Sequence, residues 1–117
     1  MSDFPPFMKN PMNRIARASQ FTDDIEGYVF DGPDGSQVAF WKCREDLISA
    51  EHTHNFDEYV LVIEGQVTVI IGDQRTVVTA GQEMVIPKRT KQSTAVTAGT
   101  RTIRVFGGKR ARREGEQ

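Results

Sequence analysis

Apolar residues occur along the chain in short runs that stop at turn-forming pairs, and none keeps the spacing of a helix. Val38-Ala39-Phe40-Trp41, Tyr59-Val60-Leu61-Val62-Ile63, Val67-Thr68-Val69-Ile70-Ile71 and Thr76-Val77-Val78-Thr79 are rich in aromatic or β-branched side chains. Met84-Val85-Ile86 stops at Pro87, Ser93-Thr94-Ala95-Val96 stops near Gly99, and Thr100 to Phe106 alternates until Gly107-Gly108. Runs of this length suit strands and fall short of a helix. The pairs Glu64-Gly65, Gly72-Asp73 and Ala80-Gly81 punctuate them, and Gly32-Pro33-Asp34-Gly35 opens the series with a turn in which proline presets φ and glycine accepts its positive values. The pattern predicts an all-β barrel or sandwich. Residues 1–27, with Pro5, Pro6 and Pro11 and no sustained period, form an expected N-terminal arm ahead of a barrel over 28–107. The ending GGKRARREGEQ (residues 107–117) reads as a solvated terminus, with residues 108–117 taken as a flexible polar tail.

With 117 residues the chain has room for one hydrophobic core. The 15 Lys and Arg against 16 Asp and Glu give a net charge of -1, which lacks the basic excess of a nucleic-acid binder. No apolar run approaches the roughly 18 to 20 residues of a membrane helix. The start MSDFPPFMKN has no apolar signal core, so a soluble, cytoplasmic protein is expected. The single cysteine, Cys43, has no internal disulfide partner and fits a small buried side chain.

Chemistry concentrates in one segment. His52 and His54 are separated by one residue in a predicted strand region, where i and i+2 share a face, so two imidazoles project side by side. Glu58 follows at the head of the apolar run Tyr59 to Ile63, where an unpaired carboxylate is costly. Two imidazole nitrogens and a carboxylate can occupy one face of an octahedral divalent ion and leave the other open. The competing reading makes the histidines ordinary surface or core residues and Glu58 a loop cap or the partner of an arginine.

In full, HTHNFDEYVLVIEG is His-x-His-x3-Glu-x6-Gly, which resembles the first motif of the cupin superfamily. GQEMVIPKRTKQ, where five residues separate Gly81 from Pro87, is similar to the first half of the second motif. The resemblance covers about residues 36 to 107. It implies a jelly-roll-like antiparallel β-barrel, a double-stranded β-helix, with a metal inside one end, and a homodimer. The pattern's glycines fall on Asp46 and Arg89, its asparagine on Val96, and its fourth metal-binding histidine on Gln92. An amide oxygen is a weaker, neutral donor. Three arrangements are open: Gln92 completes a metal shell with His52, His54 and Glu58; Gln92 bonds a water or substrate beside a three-ligand metal; or the barrel binds a small molecule without metal.

The resulting expectation is a divalent-metal cupin (iron, manganese, nickel, copper or zinc) acting on a small oxygen-rich organic molecule. Dioxygenase chemistry would follow from a redox metal, and isomerase, lyase or cyclase chemistry from a Lewis acid. Glu58 is the candidate general base. The alternative is a non-enzymatic small-molecule-binding module. Phe40 and Trp41 have opposite parity, so one of them faces the lumen; Arg101 and Arg104 do as well. If Thr102, Arg104 and Phe106 line the lumen, Arg104 becomes a clamp for a substrate carboxylate or the partner of Glu58. Both faces of the Glu58 to Ile63 run are apolar, which predicts a two-fold partner of the same chain; neither nucleic acid nor membrane is an expected partner.

Overall fold

The structure, a computed structural model, describes residues 3–19 and 24–116. The remaining positions of the expected arm and tail, 1–2, 20–23 and 117, lie outside the described residues. Among the described residues, nine strands follow three single 3₁₀ turns at Pro6–Met8, Pro11–Asn13 and Arg17–Ser19. They are β1 (Ile25–Asp31), β2 (Gln37–Cys43), β3 (Leu47–Ile48), β4 (Glu58–Glu64), β5 (Gln66–Ile71), β6 (Gln74–Thr79), β7 (Glu83–Ile86), β8 (Ser93–Val96) and β9 (Arg101–Phe106). One sheet has the order β1-β2-β9-β4-β7 and the other β3-β8-β5-β6, with every pairing antiparallel. The fold is thus the all-β jelly-roll barrel that the strand pattern and the resemblance imply.

The period-2 alternation sorts the core. On β4, Glu58, Val60 and Val62 point inward and are buried, whereas Tyr59, Leu61 and Ile63 lie half-buried on the outer face. Val67 and Val69 of β5 meet Val60 and Val62 between the sheets, with Val78 and Ile86 closing that end. Each such side chain removed from water contributes about 1.5–3 kcal/mol. At the other end, Val29, Ala39, Trp41, Cys43 and Phe106 build the second cluster, with Ile15 of the arm and Ala111 near the C-terminus. Between β4 and β5 sits Gly65 at φ 84°; a Cβ there would lie 2.7 Å from Thr100 Cα, so only glycine fits.

Strand β1 begins at Ile25, ahead of the expected barrel start at Tyr28. Gly27 interrupts its apolar pattern for a packing reason: a Cβ at that position would come within 2.4 Å of the Trp41 indole.

The segment expected as a flexible tail is fixed in place. Gln37, 1% exposed, donates from Nε2 to Ala111 O (3.0 Å) and Asp31 Oδ1 (2.8 Å), and its Oε1 accepts from the backbone amides of Arg110 (2.7 Å) and Ala111 (2.9 Å). Arg113 donates to Val29 O, Asn13 Oδ1 and Asp31 Oδ2. The arm and this segment also pair along their backbones: Ala16 N bonds Arg112 O, and Glu114 N bonds Arg14 O. Terminal polar residues stay mobile only while their backbone groups prefer water, and here they have protein partners.

Candidate functional site

His52 and His54 lie between β3 and β4 rather than within a named strand. His52 forms an isolated antiparallel bridge with Gln92, exchanging both backbone bonds (2.8 and 2.9 Å). The extended backbone keeps its parity, so His52, His54 and Phe56 are half-buried while Glu51, Thr53 and Asn55 are exposed. The two imidazole centroids are 4.9 Å apart, and His54 stacks on Phe56. His52 Nδ1 is 2.9 Å from Ala50 O; a carbonyl only accepts, so Nδ1 is the donor of this bond. Burial holds His54 below the usual histidine range against the opposing pull of Glu58, so this imidazole is neutral at pH 7.

These histidines face a cavity of about 610 Å³ whose wall also includes Trp41, Arg104, Phe106 and Arg110. Of the aromatic pair on β2, Trp41 faces this lumen, edge-on to Phe106. Phe40 points outward and packs with Phe4, Tyr28 and Phe30 beneath the N-terminal arm, so it is no pocket residue. On β9, Thr102, Arg104 and Phe106 line the lumen; Arg101 points out, onto Glu64 and over the Phe4 ring. Cys43 is also on the wall, its thiol pushed up to about 11 by burial.

Glu58, 3% exposed, lies behind this wall rather than on it. Its Oε2 accepts from Arg104 Nη1 at 3.0 Å, and its Oε1 faces the Gln92 amide Nε2 at 3.4 Å. His54 Nε2 stands 3.8 Å from Oε1, beyond hydrogen-bond length. Gln92 is 1% exposed, and its Oε1 has no partner among the described residues; neither has Arg104 Nε. The carboxylate is therefore engaged by a guanidinium and an amide, and a general-base role for it lacks a path to a pocket ligand.

The same contacts decide how well the donors suit a divalent ion. His52 Nε2 and Gln92 Oε1 are unspent, and His54 Nε2 has no bond within range. Against that, the charge of the only carboxylate is already balanced by Arg104, so the set offers a dication neutral donors alone. Among the described residues no group of three His, Cys, Asp or Glu side chains is placed to hold a metal. As arranged, these residues do not fit a tightly held divalent ion.

Arg110 was not among the residues the sequence pointed to. It sits on the wall with its guanidinium 5.9 Å from the Trp41 ring centroid and donates to Ser19 O. A basic run at a terminus carries no local sign that one of its members folds inward; the bond to its backbone amide comes from Gln37, 73 residues away.

The cupin domain family model matches residues 45–109. A cupin resembling RmlC from Shewanella frigidimarina NCIMB 400 superposes with a TM-score of 0.68 at 16% identity, over 85% of this chain and 96% of the other. A cupin superfamily protein from Desulfitobacterium hafniense DCB-2 gives 0.67 at 11% identity, over 74% and 80%. KdgF from Halomonas sp. gives 0.66 at 16% identity, over 82% and 94%. Identities this low speak for the fold alone. No curated protein sequence matches the chain.

Proposed function

Since the chain belongs to the cupin domain family, we propose that its barrel pocket binds a small oxygen-rich organic molecule. The observation that carries this reading is the convergence of two imidazoles and two guanidinium groups on one cavity that has an apolar floor of Trp41 and Phe106. A cavity of about 610 Å³ suits a small metabolite. Imidazoles hydrogen-bond to hydroxyl or carbonyl oxygens, and Arg104 and Arg110 supply charged donors. The experiment is an NMR titration with a panel of small polyols, phenols, hydroxy acids and keto acids. It follows the Trp41 indole and the two imidazoles. Saturable shifts confined to these groups, and abolished in His52→Ala/His54→Ala, support the reading; a panel that moves none of them overturns it.

A second reading, metal-dependent enzyme chemistry of the oxygenase or Lewis-acid kind, is favoured by the unspent His52 Nε2 and Gln92 Oε1. It requires Glu58 to leave Arg104. Elemental analysis of untagged protein tests it: near-stoichiometric metal that is lost in His52→Ala/His54→Ala supports this reading, and equal traces in both proteins reject it.

The third proposal is a two-fold dimer through the outer face of the five-stranded sheet. Phe30, Val38, Val105, Tyr59 and Val85 are cross-strand neighbours in one continuous row, and all but the half-buried Tyr59 are exposed. A flat apolar row on one sheet face is self-complementary under a two-fold axis.

A further inference from the structure

Two guanidinium groups share the pocket, but one carboxylate near it balances only one of them. Arg104 and Arg110 lie 6.0 and 5.9 Å from the centroid of the same Trp41 ring: Arg104 is paired with Glu58, while Arg110 is bonded to the Ser19 carbonyl, feels Glu58 at longer range, and forms no ion pair among the described residues. Among the described residues, none of the side chains on the cavity wall is acidic. The two guanidinium charges at the pocket thus exceed, among the described residues, the single carboxylate charge by one. A guanidinium does not deprotonate at accessible pH, and leaving its charge uncompensated in a partly dry cavity is costly. A bound anion relieves that cost.

The geometry points to a carboxylate-bearing ligand, with Arg110 of the C-terminal segment as its charge partner, Arg104 beside it, and the Trp41 and Phe106 rings against its carbon skeleton. This inference rests on the pocket-binding reading above and adds the class of ligand. A planar guanidinium matches a carboxylate with two parallel hydrogen bonds, which an ammonium cannot reproduce. Arg110 lies one residue beyond the segment matched by the cupin domain family, so the family match does not assign it. Its delivery depends on Gln37, whose Oε1 holds the Arg110 and Ala111 amides.

The test uses benzoate and pyruvate as probes, with benzamide and pyruvamide as uncharged counterparts of similar shape. Binding is followed through the Trp41 indole resonance of the full chain. The expected result is at least tenfold tighter binding of each acid than of its amide. Arg110→Gln removes that preference, Arg110→Lys keeps part of it, and Arg112→Gln, with an exposed side chain in the same segment, keeps all of it. Acids and amides that bind equally, or an acid preference that survives Arg110→Gln, overturn the anion inference while pocket binding stands. If neither acids nor amides move Trp41, the anion inference falls; the pocket reading falls with it only if the wider oxygen-rich panel is also silent. Should Arg110→Gln fail to fold, loss of the two-point contact in Arg110→Lys carries the decision, and an unchanged acid-to-amide ratio in that variant refutes the role of Arg110.

Discussion

Gln37→Leu isolates the device that carries the C-terminal segment to the pocket. The glutamine satisfies both amide hydrogens and both lone pairs of its oxygen, on Asp31, Ala111 O, Arg110 N and Ala111 N. Leucine has similar bulk and none of these groups. Two of the abandoned backbone groups, Ala111 N and Ala111 O, are buried, and each costs about 1–3 kcal/mol when left unpaired, so keeping the segment in place costs about 2–6 kcal/mol. Release of the segment, which also breaks the Arg113 bonds and the pairing of Ala16 with Arg112, lets water satisfy those groups, and the substitution eases that opening by the energy lost from the closed state. A floor of about 2 kcal/mol raises the open population roughly thirtyfold. The assay is limited trypsin digestion read by mass spectrometry, because Lys109, Arg110, Arg112 and Arg113 all lie in the released stretch and cleavage tracks the open population. Gln37→Glu keeps the two accepted bonds but gives up both donated ones and sets a carboxylate against Asp31, so it should fall between wild type and leucine. A Gln37→Leu protein cleaved within twofold of the wild-type rate, with an unchanged Tm, would refute the latch.

Four further outcomes are expected. Arg89 occupies the left-handed region at φ 63°, where a side chain costs about 1–2 kcal/mol, so Arg89→Gly should stabilise by about 0.5–1 kcal/mol after glycine's unfolded-state entropy, seen as a Tm higher by a few degrees. The Cys43 thiol, pushed up to about 11, is thiolate in roughly 1 part in 3,000 at pH 7.5, so a thiol reagent should stay unreacted with native protein and react in a burst on unfolding. Val105→Glu places a charge in the middle of the exposed row and should convert a micromolar dimer to monomer by sedimentation, whereas a monomeric wild type removes the dimer proposal. Arg104→Met leaves Glu58 buried without its counter-charge and should cost about 3–5 kcal/mol by denaturant melts, most of it recovered in Arg104→Met/Glu58→Gln.

The barrel was legible because strand parity is local: Val60 and Val62, or Val67 and Val69, declare a buried face within a few residues of one another. Strand β1 was less legible, since Gly27 looks like a break until Trp41 is placed against it. The fixed C-terminal segment was invisible, because Gln37 and Ala111 are 74 residues apart and neither belongs to a periodic pattern. Motif spacing likewise brought His52, His54, Glu58 and Gln92 to one end of the barrel. It carried no information on which of them would be bonded to one another, and Arg104, 46 residues from Glu58, decides that.

The identities of residues 92 and 104 make sense together. A buried carboxylate needs its charge met and its lone pairs occupied, and a cation with neutral donors is one way to do both. Here Arg104 meets the charge of Glu58 through Oε2, and the amide of Gln92 turns its NH₂ toward Oε1. Glutamine suits that second place because its two ends differ: a donor must face the carboxylate, which leaves the acceptor Oε1 directed away from it and unpaired. Histidine at position 92 would present a single nitrogen to that space, as donor or as acceptor. The pair Arg104 and Gln92 thus compensates Glu58 from within the protein. It leaves His52, His54 and Arg110 on the wall without a carboxylate bonded to them among the described residues, placed to meet a ligand.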